Sequence, residues 1–356
     1  MREPYPVEKI SIIAITRNGI KIASLIQKMY PGSIIHAPAK LRTDDDAEWF
    51  QETTAAKMGS LFRSSNAMIC VFSLGAVIRL ITPHLKSKKT DPAVLVIDDK
   101  ANFVISALSG HIGGANQLTT DIAEKLGAAA VITTAADVNK TIPVDMIGRD
   151  LGWRIEDDSD VTRVSAMMVN EEKIALFQDA GSEDWWRGPL PKNVTRYHKM
   201  RELAESDSQG HLIISDRDLG GDIPKNTILY RPRSLIVGVG LHHDTTQKKI
   251  ESGIQKTLQA SGLHIGCIAG VATLRKRADA DGLAQYCKRN DIPIKYVDRD
   301  ELAGIRTPNP SRIVEAFEGT PSVSEAAAIL VSGGRLIVEK QKFPPDLTVA
   351  VARVKA

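Results

Sequence analysis

Aromatic residues are scarce in this chain, with Phe, Tyr and Trp together making up 5% of 356 residues. This disfavours a core or binding surface built on ring stacking and leaves Val, Ile, Leu and Ala to fill the interior. Cysteine is scarcer still. Cys70, Cys267 and Cys287 stand far apart in apolar or helical surroundings, so they form neither a disulfide framework nor a zinc knuckle. No stretch reaches the roughly 18 uninterrupted apolar residues of a membrane span. Arg2, Glu3, Pro4 and Pro6 precede a short apolar run that soon meets Arg17, which is no signal-peptide pattern; a cytoplasmic protein is expected. Charge of one sign is not in excess either. With 46 basic and 43 acidic residues, the chain lacks the basic balance of a general nucleic-acid binder.

What is present is length for two or three cores, 26 glycines, and strand-turn-helix units in series. Ile10 to Ile15 is a β-branched run followed, after Arg17-Asn18-Gly19, by Ile22, Leu25, Ile26 and Met29 at helical spacing. Residues 33–37 read as a strand, 44–62 as a helix opened by three acids, 67–72 as a buried strand and 76–81 as a helix ended by Pro83. Val94–Ile97 and Phe103–Leu108 form a strand pair around Asp98-Asp99, and a glycine-rich turn leads into a helix over 115–126 and a strand over 130–134. The expected fold is α/β, with an N-terminal, largely parallel, Rossmann-like sheet over residues 1–142.

From Ile142 the texture changes to clustered acids, Trp153, Trp185, Trp186 and the breaker Gly188-Pro189-Leu190-Pro191. Residues 143–230 are therefore read as a small α+β middle segment. Strand-turn-helix units resume over 231–356, a C-terminal α/β domain. The three segments carry net charges of +3, −6 and +6. Two readings stay open for this alternation: docking between domains, or a basic cleft that steers an anionic substrate.

The densest chemical signal is Ser109-Gly110-His111-Ile112-Gly113-Gly114-Ala115-Asn116. Glycines there can turn backbone N–H groups outward at a helix start, which suits a carboxylate or a developing oxyanion; a tight strand-to-helix crossing has the same pattern. His111, as a neutral imidazole, is the candidate base. Ser73-Leu74-Gly75-Ala76-Val77 and Thr133-Thr134-Ala135-Ala136-Asp137-Val138-Asn139 also follow strands, so all three turns are expected at one sheet edge. His84 is a candidate catalytic residue or else a helix-end cap or surface imidazole, and Asp137 and Asn139 are substrate contacts or a turn pair. Arg79, Lys86, Lys88 and Lys89 are either carboxylate holders or a solvated surface. His242-His243-Asp244 lacks a third ligand at zinc spacing, so no metal site is expected. Trp185-Trp186 reads as a loop anchor before a stacking platform, and neither GxGxxG nor a P-loop follows any strand, which argues against a nucleotide enzyme.

Taken together, residues 75–86, Asp91-Pro92-Ala93-Val94, 109–116 and 131–139 resemble the CbiG family of cobalamin biosynthesis. The C-terminal third is similar in Gly238-Val239-Gly240, Thr273-Leu274, Ala278-Asp279, Gly282-Leu283, Pro308-Asn309-Pro310-Ser311 and the run Gly319 to Ala328. It continues to Lys340, Lys342-Phe343 and Thr348-Val349-Ala350. The chain departs from the family pattern at Leu241-His242-His243-Asp244 and at Arg277.

The resemblance implies a cobalt-precorrin-5A hydrolase, which opens a δ-lactone on a cobalt-containing tetrapyrrole and releases carbon C20 with its methyl group as acetaldehyde. Cobalt then belongs to the substrate, and no protein cofactor is expected. Expected partners are the tetrapyrrole intermediate, neighbouring pathway enzymes met transiently and a second copy in a homo-oligomer, with no nucleic acid and no membrane. Within this reading, His111, Asn116, His84 and Asp137 are the candidate catalytic residues. Gly75, Arg79, Gly110, Gly113, Gly114, Thr133, Thr134 and Asn139 are the candidate substrate contacts, with the amides of Gly113 and Gly114 as oxyanion donors. A non-catalytic carrier of a tetrapyrrole intermediate is the alternative.

Overall fold

The structure is a computed structural model that describes residues 9–221, 223–276 and 280–355. Arg2, Glu3, Pro4, Pro6, Arg277 and Ala278-Asp279, named above, lie outside these residues. The described chain divides into two compact units, Met1–Met146 and Ile147–Ala356.

In the first unit the order is β1 (Ile10–Ala14), α1 (Arg17–Met29), β2 (Ile34–Pro38), β3 (Ala47–Phe50), α2 (Thr54–Ser64), β4 (Ala67–Val71) and α3 (Leu74–Ile81). Then come β5 (Ala93–Ile97), β6 (Phe103–Leu108), α4 (Ala115–Leu126), β7 (Ala129–Val131) and α5 (Ala135–Val138), followed by a single 3₁₀ turn at Val144–Met146. β1, β4 and β5 are buried at every position, the pattern of strands covered on both faces. Alternation sorts their side chains. Ile12 packs with Ile20, Ile26, Leu118 and Ile122 of α1 and α4, whereas Ile13 packs with Met58, Phe62, Val77 and Ile81 of α2 and α3.

The sheet order is β3-β2-β1-β4-β5-β6-β7. Strands β1 to β5 run parallel, β6 is antiparallel to β5, and β7 is parallel to β6. The fold is thus α/β and largely parallel, but its last two strands are reversed. The ends of β6 and β7 therefore lie at the edge where β5 begins, opposite the edge where β4 ends. This corrects the expectation that the turns at Gly75, His111 and Thr134 share one edge. A second correction concerns residues 44–62: β3 occupies the first part and α2 starts only at Thr54, its cap Thr53 accepting from the Ala56 amide.

The second unit holds two five-stranded sheets. The first is built from β8 (Arg154–Ile155), α6 (Val161–Val169), β9 (Ile174–Gln178), β10 (Val194–Tyr197), α7 (Met200–Ala204), β11 (Gly210–Ile214) and β12 (Thr227–Arg231). Four of these strands are parallel and only β8 is antiparallel, a more regular arrangement than the expected α+β segment. The second follows with β13 (Leu235–Leu241), α8 (Gln247–Ala260), β14 (Ile268–Leu274), α9 (Asp281–Arg289), β15 (Ile294–Val297) and α10 (Arg299–Ala303). It ends with α11 (Arg312–Glu318), α12 (Val323–Ser332), β16 (Leu336–Phe343) and β17 (Leu347–Arg353). Its order is β15-β14-β13-β17-β16, with α8 and α9 on one face and α10 and α12 on the other.

Candidate active site

After β6 the chain turns into α4 through Ser109 to Gly114. Ser109 has φ 55°, a left-handed value that few non-glycine residues adopt, and its hydroxyl donates to the Asp91 carbonyl at 3.0 Å. Gly114 has φ 82°. A Cβ at Gly110 would lie 2.6 Å from Asn116 Oδ1, so the missing side chain makes room for the Asn116 amide.

Asn116 is buried and joins three elements. Its Oδ1 accepts from the Ser106 hydroxyl of β6 at 2.6 Å. Its Nδ2 donates to Thr134 Oγ1 at 2.9 Å and to Asp137 Oδ2 at 2.7 Å. The same Asp137 oxygen lies 2.9 Å from His111 Nε2, and His111 Nδ1 lies 3.3 Å from Asp145 Oδ1. The imidazole thus stands between two carboxylates. Its bond to Asp145 raises its pKa above the ordinary value, burial opposes the shift, and Asp137 adds to it. Burial works to raise Asp145, but the His111 bond and charge outweigh it and hold the carboxyl below its ordinary range, with Lys88 contributing. With a carboxylate at each nitrogen, the surroundings favour the protonated ring over the neutral imidazole expected of a base, and a protonated ring donates from both nitrogens.

The backbone differs from expectation as well. The Gly114 amide donates to the His111 carbonyl at 3.0 Å, that of Ala115 to Ser109 at 3.2 Å and that of Asn116 to Gly110 at 3.0 Å. The turn therefore caps its own helix, and Gly114 is not an open oxyanion donor. The Gly113 amide has no hydrogen-bond partner among the described residues.

Of the remaining candidates, Thr133 and Asn139 flank the cluster as exposed residues. Gly75 sits exposed at the opposite edge, with nothing near its missing side chain. Arg79 is exposed on α3. His84 packs on α2: a Cβ at Gly59 would lie 2.4 Å from its Nε2, and its ring centroid is 6.2 Å from that of Phe62. Its half-buried ring therefore rests against α2. The Lys86 amide donates to both Asp91 carboxylate oxygens, which folds the Lys86–Lys89 loop back towards β5.

Asp145 and Ser106 were not among the expected site residues. Asp145 lies beyond the change of texture at Ile142, which reads as a boundary, although a Pro-Val-Asp sequence is itself a helix-start signal.

Elsewhere, Trp185 Nε1 donates to Gln178 Oε1 at 2.8 Å and Trp186 Nε1 to the Pro189 carbonyl at 3.1 Å, which ties both rings into their loop. His243 lines a small cleft with Thr273, Lys276 and Tyr296 at the end of β13 and β14. Among the described residues no cluster of three or more His, Cys, Asp or Glu could hold a metal ion. The cysteines are buried, and burial pushes the Cys267 and Cys287 thiols up to about 12, so they are poor nucleophiles. No described helix is long and apolar enough to cross a membrane.

Fold and cluster define the class: an α/β protein in which a histidine is held between two carboxylates at a sheet edge. Residues 56–137 match the family model described as Cobalamin synthesis G N-terminal, 142–232 the Cobalamin biosynthesis central region, and 235–352 the Cobalamin synthesis G C-terminus. A curated relative from Priestia megaterium, named cobalt-precorrin-5A hydrolase, is 38% identical over 97% of this chain and 94% of its own. One of the same name from Salmonella typhimurium is 28% identical over 93% and 94%. A solved cobalamin biosynthesis protein G homolog from Sulfolobus solfataricus is 21% identical over 98% of both chains, with a TM-score of 0.39. The chain belongs to the cobalamin synthesis G (CbiG) family.

Proposed function

We propose that the chain is a cobalt-precorrin-5A hydrolase and that the cluster around His111 carries the reaction. The 38% identity to the curated relative over 97% of the chain supports the activity. The observation that carries the site is the His111 imidazole between Asp137 and Asp145.

Lactone opening needs a base for water, a proton donor for the departing oxygen and a donor to the tetrahedral oxyanion. The Asp137 side chain is 44% exposed and that of Asp145 16%, so Asp137 is the carboxylate that meets water and takes its proton. The water oxygen adds to the lactone carbonyl, and the carbonyl–oxygen bond breaks as Asp137 passes a proton to the leaving oxygen and takes the Nε2 proton of the His111 cation in its place. Asn116 holds Asp137, and of the two expected oxyanion donors the Gly113 amide remains available whereas that of Gly114 does not. The freed C20 hydroxyl then loses its proton and becomes the aldehyde carbonyl. The bond from C20 to the macrocycle breaks, its electron pair passes into the ring system, and a proton returns there. One water is consumed, one carboxylic acid forms and acetaldehyde leaves. The basic loop with Lys86, Lys88 and Lys89 suits the carboxylates of the substrate rim. Cobalt enters with the substrate.

The test is acetaldehyde release from cobalt-precorrin-5A. His111→Ala is expected to lower turnover by about 10²–10⁴ while thermal unfolding stays cooperative. Near-wild-type release would remove His111 from the mechanism. Stoichiometric binding without acetaldehyde in the wild type would favour the carrier.

A further inference from the structure

We propose that Asp145 is the positioning residue of this site: it acts through His111, fixing the ring by its Nδ1–H so that the Nε2–H is aimed at Asp137. The inference rests on the hydrolase reading for its activity arm only. Three observations support it. Asp145 lies 3.3 Å from Nδ1, across the ring from the contact that Asp137 makes with Nε2. Its side chain is mostly buried whereas that of Asp137 is open, so it is poorly placed to meet water or substrate. It also comes from a different element, the 3₁₀ turn at Val144–Met146, which therefore completes the first unit's site.

The logic is that of a carboxylate behind an imidazole. A hydrogen bond at one nitrogen sets the ring's orientation and decides which proton the other nitrogen presents. Without Asp145 the ring can turn about its own axis and offer either nitrogen to Asp137. The charged groups facing His111 are Asp137 from α5 and Asp145 from the 3₁₀ turn, with Lys88 from the loop before β5 acting on Asp145. Polar contacts reach Asp137 through Asn116 of α4. Removing Asp145 leaves one carboxylate beside the ring, so the cation is less favoured and its proton is lost at lower pH.

The experiment compares the full-length wild type with Asp145→Asn and Asp145→Ser, the second a smaller replacement should the amide perturb folding. The ring nitrogens of His111 are followed by ¹⁵N spectra against pH in the free protein, the signal being identified by its loss in His111→Gln. In parallel, acetaldehyde release from cobalt-precorrin-5A is measured against pH. Both Asp145 variants are expected to titrate His111 at lower pH than the wild type. Their loss of turnover should be several-fold greater near pH 8 than near pH 6, because the proton donor loses its proton at lower pH. A purely structural role would give the same loss at every pH. Titration curves that superimpose on the wild type would overturn the proposal. If the wild type releases no acetaldehyde, the hydrolase reading fails, and the ring titration still decides the role of Asp145.

Discussion

At the scale of residues, the site depends on what each charge does for folding as well as for chemistry. His111 has a raised pKa in the folded protein, so its contribution is complete below the ordinary imidazole value near 6.5 and is lost as pH rises through the folded value. Asp145 is lowered, so its contribution is present above about pH 4 and is lost as pH falls through its folded value. The pair therefore stabilises most between roughly pH 4 and 6.5. In chemical denaturation, His111→Asn should be further below the wild type near pH 5.5 than near pH 9; an equal deficit at both would count against the ion pair. His111, Asn116, Thr134 and Asp137 were legible because a glycine turn and a strand end mark themselves locally. Asp145 was not, because 34 residues separate it from His111 and only the closed chain shows that they meet.

At the scale of elements, the hairpin of β5 and β6 was visible around Asp98-Asp99, yet its effect on the sheet edge was not. An apolar run reads the same in either direction, and strand order fixes the sense of β6 and β7 only once neighbours are known. The three acids at Asp44 to Asp46 resembled a helix start. In the fold, Asp45 accepts instead from Ser24 of α1 at 2.9 Å, and the residues that follow pair with β2. Two of the C-terminal motifs serve packing. Buried Glu325 accepts from the Asn309 amide and side chain and from the Lys340 amide, which binds the Pro308–Ser311 loop to α12 and β16. At Gly238 an added Cβ would stand 1.9 Å from the Ser324 carbonyl and 2.8 Å from the Ala328 amide, so α12 lies backbone to backbone on β13. Gly238→Ala is expected to cost about 3 kcal/mol or more, read as a lower urea midpoint with an unchanged slope. A midpoint within error of the wild type would refute that contact.

At the scale of the whole molecule, the alternation of charge has a partial answer inside the second unit. Asp216, fully buried after β11, accepts two bonds from the Arg353 guanidinium at 2.8 and 2.6 Å and one from Ser234 at 2.9 Å. Glu156 reaches His264 at 3.6 Å as well as Arg231. Acids of the middle segment thus meet bases of the C-terminal part, which is the docking reading. Arg353→Gln would strand a buried carboxylate, at a cost of about 3–5 kcal/mol, and should separate the unfolding curves seen by tryptophan fluorescence and by circular dichroism. Coincident curves at wild-type stability would argue that the pair does not couple the two sheets. In the first unit the reversed strands have an electrical consequence. A helix carries partial positive charge at its N-terminus, and because α4 follows β6 it points opposite to α1, which follows β1. Its positive pole therefore lies beneath Asp137, whose carboxylate is held from the first turn of α4 by Asn116. The strand reversal thus lets two acids share one small site with the field of the fold offsetting part of their repulsion.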